Sequence, residues 1–288
     1  MRPMRPYKSI RVRRLRVPSP HGGIPALLLS PVDAPSNATG VLWLHGGGYA
    51  VGMKEMVYAS RAADLVRDFG AVVLSPGYRL SPLAPYPAAL DDCFTALHYL
   101  KQHAASFGVR SDQLMVGGES AGGGVCAAVC IRARDEGAVN VAFQMPLYPM
   151  LDDRDTASSR DNHGRVWNTR RNHLAWRLYL RGIDRAQLTP YAAPARLEDF
   201  SGLPPAYSFV GDGEPFYAET LSYFEHLRNA GVPAELDVYH TDMHAFDMMQ
   251  PDSTLAVRAA EAFNHQFERA QKQFFAPQPG DRRNSNDT

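Results

Sequence analysis

Three features of the chain predict an α/β fold: a mostly parallel central sheet, flanked by helices and carrying a small helical cap. Short, continuously apolar runs alternate with helical stretches, the rhythm of strands that return through crossover helices. Near the N-terminus two runs joined by His21-Gly22-Gly23 read as an antiparallel hairpin. One polar segment rich in Arg and Asn then breaks the rhythm while carrying large aromatic residues. The chain's 288 residues are ample for a buried core, and its 45% hydrophobic and 21% charged content is that of an ordinary globular protein.

The hairpin arms are 11–17 and 24–29. In the first arm Arg11 and Arg13 are interleaved with Val12, Leu15 and Val17, the pattern of a solvated edge strand rather than of a basic binding arm. Runs 41–44 and 71–75 are continuously apolar, as strands covered on both faces are, and the stretch 58–69 between them is helical. A helix opens after Pro87 and spans 88–107, with Asp91 and Asp92 in its first turns, where the dipole favours acids. The run 114–116 leads to Gly118-Glu119-Ser120-Ala121-Gly122, and a helix of small residues follows over 121–134. Further strands are expected at 142–148, 206–210 and 234–239, and further helices at 218–230 and 253–275. The interrupting segment, about 151–190, carries Trp167, Trp176, Leu178, Tyr179 and Leu180 and reads as a lid, wet outside and aromatic beneath. The expected organisation is one domain over 1–276 with this cap as an insertion, followed by a polar, disordered tail over 277–288.

Bulk chemistry narrows the function. The formal net charge is zero, which argues against nucleic acid or an anionic membrane surface as the main partner. No apolar run reaches the roughly 18 residues of a membrane span, and no signal-peptide core follows the basic start. Three cysteines do not make a disulfide framework. Cys126 and Cys130, one helical turn apart among Ala and Gly, read as packed thiols. A reducing, cytoplasmic setting is expected.

The pentapeptide 118–122 carries the chemistry. An apolar run before it and a helix after it make the strand–turn–helix setting of a nucleophile elbow, in which glycines clear the space around a strained serine. The pattern G-x-S-x-G arises by chance in a chain this long roughly one time in ten, so Ser120 needs its partners. Directly after the run 41–44 stands His45-Gly46-Gly47-Gly48-Tyr49. Consecutive glycines let backbone amides face a developing oxyanion without side-chain clash, so Gly47 and Gly48 are expected to supply two donors and Ala121 a third. No Walker lysine follows that would make this a phosphate loop, and His45 is read as a residue that holds the loop. Among later histidines, His244 in the loop after the last strand suits the Ser…acid…His order better than His240, which closes the strand. The orienting acid should follow the strand 206–210, where Asp212 and Glu214 both qualify by position.

The linked motifs resemble the hormone-sensitive-lipase-like family of α/β-hydrolase esterases. They are His45-Gly46-Gly47-Gly48, Tyr78-Arg79-Leu80-Ser81-Pro82 leading to Tyr86-Pro87-Ala88-Ala89, the elbow with its following Gly123, and His244-Ala245-Phe246. Together they span nearly the whole folded chain. Where family members read V-G-x-x-D-P-F, this chain reads Val210-Gly211-Asp212-Gly213-Glu214-Pro215-Phe216, so the resemblance places the family's acid on Glu214. Two departures stand out. Only 44 residues precede His45 where members carry a helical N-terminal cap, so the lid must come mainly from 151–190. Leu83 follows Ser81-Pro82 where members carry a Glu.

The resemblance implies a serine carboxylesterase for short-chain acyl esters, with Ser120, His244 and Glu214 as catalytic residues; Tyr49, Trp167, Trp176 and Tyr217 are candidates for the pocket lining. It implies no cofactor and no metal. The expected partner is a small-molecule ester, with no nucleic acid and no membrane, and a homo-oligomer is left open. An amidase or peptidase of the same fold is the alternative within enzymes; a non-catalytic ligand-binding protein is the alternative outside them.

Overall fold

The apolar runs become strands buried on both faces. In β3 (Ala38–Leu44), Val41 and Trp43 enter one core while Leu42 and Leu44 enter the other, the two-residue alternation of a pleated strand. The same alternation sends Val72 and Leu74 of β4 (Val72–Pro76) one way and Val73 the other. In the computed structural model, which describes residues 2, 4–33 and 36–280, these strands lie within one eight-stranded sheet. The remaining strands are β1 (Ile10–Val17), β2 (Ile24–Pro31), β5 (Val109–Glu119), β6 (Phe143–Leu147), β7 (Ala206–Gly211) and β8 (Ala234–Tyr239). The sheet order is β1-β2-β4-β3-β5-β6-β7-β8. The β1–β2 and β2–β4 pairs are antiparallel and all others parallel. β1 is one edge, with Arg11, Arg13, Arg14 and Arg16 exposed, and β8 is the other.

Helices cover both faces. α2 (Ala88–Gln102) and α3 (Ala121–Glu136) pack on one side with α5 (Tyr217–Asn229), while α1 (Arg61–Phe69) and α7 (Thr254–Gln273) pack on the other. α4 (Thr169–Tyr179) lies in the 151–190 segment, and the short α6 (Phe246–Met249) follows β8. The cap is rooted by charge. Glu219 of α5, fully buried, accepts the amides of Leu151 at 2.6 Å and Asp152 at 3.3 Å, and Arg196 clasps Asp153. Trp176 and Tyr179 of α4 face inward, stacked on Tyr49.

Several boundaries differ from the sequence reading for local reasons. The helix expected from 58 begins at Arg61, because Ser60 accepts the Ala62 amide as a cap and a 3-10 turn occupies Lys54–Tyr58. The helix expected through 107 stops at Gln102 and gives way to a 3-10 turn at Ala105–Phe107, closed by left-handed Gly108. β5 runs eleven residues rather than three, since it begins at Val109, paired with Ala38, and Gly117 to Glu119 stay in the ladder between β3 and β6. Of the tail expected over 277–288, residues 281–288 lie outside the described residues, but the part before them is seated. Gln278 is buried, accepts the Asn140 amide at 3.0 Å and donates to its carbonyl at 2.7 Å.

The parallel register brings strand ends level, pairing Leu44 with Gly118 and Gly211 with Tyr239. The glycine loop, the elbow, the acid loop and the histidine loop therefore all leave the carboxyl edge of one sheet, where open α/β sheets place their ligands. At the elbow the backbones nearly touch: a Cβ on Gly122 would lie 2.1 Å from the Leu44 carbonyl oxygen and 2.5 Å from that of His45. Since those neighbours are backbone, Gly122→Ala should cost about 3 kcal/mol through overpacking. The measurement is the urea midpoint at unchanged m-value.

Candidate active site

Ser120 ends β5 and starts α3 with φ 57° and ψ −121°, a conformation that costs a non-glycine residue roughly 1–3 kcal/mol. The turn is over-determined by its hydrogen bonds. The Ser120 amide donates to the Leu147 carbonyl at 3.0 Å, and the Ser120 carbonyl accepts from Gly124 and Met150, each at 3.0 Å. This geometry aims the side chain at the loop after β8, where the Ser120 Oγ lies 2.9 Å from His244 Nε2.

The acid loop after β7 is laced to the histidine loop. Asp212 and Gly213 amides donate to the Tyr239 and Thr241 carbonyls at 2.9 and 3.1 Å. A Cβ on Gly213 would press on Asp242 at 3.0 Å. This lacing separates the two candidate acids. Glu214 is buried, and its Oε2 meets His244 Nδ1 in a very short hydrogen bond. Asp212 faces solvent, where it accepts from His240 Nδ1 at 2.8 Å and from the Thr241 amide at 3.1 Å. His240 is almost fully exposed. Burial pushes the Glu214 carboxyl above its ordinary range, opposed by the charge of and hydrogen bond to His244, whereas the hydrogen bond to His240 holds Asp212 below its range. The neutral His244 tautomer that satisfies both contacts carries its proton on Nδ1 and accepts the serine hydroxyl on Nε2. Tyr148 and Phe216 meet the imidazole edge-on at 5.2 and 5.0 Å.

The glycine loop packs on the serine: a Cβ on Gly46 would stand 3.3 Å from Ser120 Cβ. Gly47 and Gly48 have φ 118° and 59°. The Gly47 carbonyl is occupied by the Ala50 and Val51 amides, while among the described residues the Gly47 and Gly48 amides donate to no protein acceptor. Ala121 opens α3, so its amide belongs to the helix's unsatisfied first turn. His45 stacks on Tyr78 at 4.2 Å and donates from Nδ1 to the Gly46 carbonyl at 2.8 Å. Burial lowers its pKa to about 4, so it is neutral at pH 7.

A cavity of about 220 Å³ opens over Ser120 and His244 with a mainly apolar lining. Of the four pocket aromatics expected from the sequence, Trp167 lines it, between Val166 and the glycine loop. The other three are corrected. Tyr49 and Trp176 are buried in the core, Tyr49 donating to the Met150 carbonyl, because the inward face of α4, with Trp176 and Tyr179, packs on Tyr49. Tyr217 packs against the opposite core at the start of α5. The walls missed are Met56, Tyr148, Met248 and Met249. Met248 and Met249 follow His244 within about one helical turn, a proximity that the sequence offered as a signal. Met56 and Tyr148 reach the cavity only through the sheet.

Glu119, beside Ser120, also lines the cavity. It is buried and accepts from Trp43 Nε1 at 2.9 Å, and burial raises its pKa to about 8. The carboxyl therefore holds its proton to a higher pH than an ordinary glutamate.

Comparison with known proteins agrees with the fold. A family model described as the alpha/beta hydrolase fold matches residues 41–248. Esterase LipI of Mycobacterium tuberculosis is 32% identical over 244 residues, covering 83% of this chain and 76% of that one. The ethyl acetate hydrolase of Pseudomonas putida is 30% identical over 224 residues, covering 76% and 70%. The solved structure of a bacterial heroin esterase superposes with a TM-score of 0.87 at 31% identity, covering 91% of this chain and 85% of that one.

The Glu119 environment makes a stability prediction. A carboxyl with a higher pKa folded than unfolded holds its proton better in the fold, so its contribution to stability falls as pH rises from 4.5 towards about 8. Glu119→Gln should flatten part of the decline in Tm across that window, as read by thermal unfolding in a pH series; Glu214 and Glu219 sustain the remainder.

Proposed function

We propose, since the chain belongs to the hormone-sensitive-lipase-like family of α/β-hydrolase esterases, that this carboxylic ester hydrolase cleaves short-chain acyl esters through Ser120, His244 and Glu214. The observation that carries the reading is the buried file Ser120 Oγ–His244–Glu214, in which nucleophile, base and orienting acid are hydrogen-bonded in sequence.

In the first step Ser120 Oγ attacks the ester carbonyl carbon while its proton passes to His244 Nε2. The carbonyl oxygen becomes an oxyanion facing the amides of Gly47, Gly48 and Ala121, which stabilise its charge as it develops. Collapse breaks the bond to the alkoxy oxygen, which takes the proton from His244 and leaves as the alcohol. In the second step His244 removes a proton from water, the hydroxide attacks the acyl carbon, and the proton returns to Ser120 as the acid departs. Glu214 holds the Nδ1 proton throughout and stabilises the imidazolium at each transition state.

Two observations support a short acyl chain. The cavity of about 220 Å³ is smaller than the pockets of roughly 300 Å³ or more that enclose drug-sized ligands. A relative's name, ethyl acetate hydrolase, points the same way.

Ser120→Ala should lower kcat for p-nitrophenyl acetate roughly a millionfold with the fold intact; retained turnover would remove Ser120 from the reaction. Glu214→Gln should lower kcat about 10⁴-fold, whereas Asp212→Asn should leave it within a few-fold. A steep fall in kcat/KM from butyrate to dodecanoate esters is expected in the same assay, and a flat profile contradicts the short-chain assignment.

A further inference from the structure

The file of three residues leaves unexplained a buried ion cluster beneath the histidine loop. Asp247 lies three residues beyond His244, in α6, and is completely buried. Its Oδ1 accepts from the Tyr148 hydroxyl at 3.0 Å, and the Tyr148 ring stands edge-on to the His244 imidazole. Its Oδ2 lies 3.1 Å from Nε of Arg61, itself 4% exposed. The Arg61 N–H does not point along that contact, so it is a Coulombic pair rather than a hydrogen bond. Arg61 in turn pairs with Asp64 at 3.1 Å, and Asp64 pairs with Arg2 of the N-terminal arm. The Arg2 amide closes the circuit at 3.3 Å on the Met248 carbonyl, in the helix that follows His244 and walls the cavity.

A charge taken this far out of water is tolerated only when paired, and such a pair is weak evidence for stability in its own right. What Asp247 joins is informative. It connects α1 through Arg61, the segment after β6 through Tyr148, and the histidine loop that carries it, and of these Tyr148 also meets the imidazole. The loop also needs a fixed anchor on this side: Ala245, between His244 and α6, sits at φ 56°, a left-handed turn unusual for alanine.

We propose that Asp247 is a positioning residue for His244, gripping Tyr148 and Arg61 so that the imidazole keeps its line to Ser120. The inference rests on His244 being the base. Asp247 does not touch substrate. Its loss should therefore act on the chemical step, where about 1 Å of misplacement can cost 100-fold, and leave ester binding nearly unchanged.

The test measures kcat and KM per folded molecule for Asp247→Asn, Tyr148→Phe, Arg61→Met and Arg61→Lys, with His244→Ala in parallel. Asp247→Asn should lower kcat at least tenfold with KM within twofold, and Tyr148→Phe more than threefold. Arg61→Lys, which keeps the charge, should recover most of the activity that Arg61→Met loses. If Asp247→Asn does not fold, Tyr148→Phe, which removes a single oxygen, decides. A kcat within threefold of the parent, with the loss confined to Tm, overturns the proposal, as does a loss appearing mainly in KM. Retained turnover in His244→Ala would instead overturn the assignment of the base, whatever Asp247 does.

Discussion

Everything in this site hangs on how closely the end of β3 approaches the start of α3. The carbonyl oxygens of Leu44 and His45 occupy the space that side chains at 118 and 122 would need. The same closeness makes the turn tight enough to drive Ser120 to φ 57°. It also sets the glycine loop against the serine, since the loop is the direct continuation of β3. The elbow and the proposed oxyanion donors are therefore two results of one packing contact, and a shift of either strand would disturb both.

A second constraint is the cost of burying acids. Glu119, Glu214, Glu219 and Asp247 all lie within the folded interior, and each is accommodated differently. Glu219 takes two backbone amides at the root of the cap. Glu214 meets an imidazole. Asp247 has a tyrosine hydroxyl and an arginine. Glu119 accepts an indole N–H, and burial holds its proton to a higher pH than usual. A buried carboxylate without such a partner would be prohibitive, so these contacts tie the loops around the serine to fixed elements of the scaffold.

The strands, their order of appearance and the elbow that carries Ser120 were legible because each depends on local pattern: continuous apolar runs, glycines at fixed offsets, and a helix of small residues. The acid was half legible. Asp212 and Glu214 are two residues apart in one loop, and nothing local separates them; the resemblance favoured Glu214 through alignment rather than chemistry. The pocket aromatics were the weakest reading. Tyr49 and Trp176 look like lining in a sequence because they are large and flank the motifs, yet they pack against each other and against Tyr179 beneath the cap. The cavity went instead to methionines and to Trp167.

By itself the sequence determined the α/β alternation, the elbow with Ser120 at its tip, the glycine loop after β3 and the histidine after the last strand. These are encoded in spacing and in residues whose conformational needs are local. Only the tertiary structure decided which carboxylate faces His244, which side chains wall the cavity, and that Asp247, Arg61 and Tyr148 meet beneath the histidine loop. Those outcomes depend on contacts between residues 30 to 186 positions apart, brought together by the register of the sheet, and no local pattern carries that information.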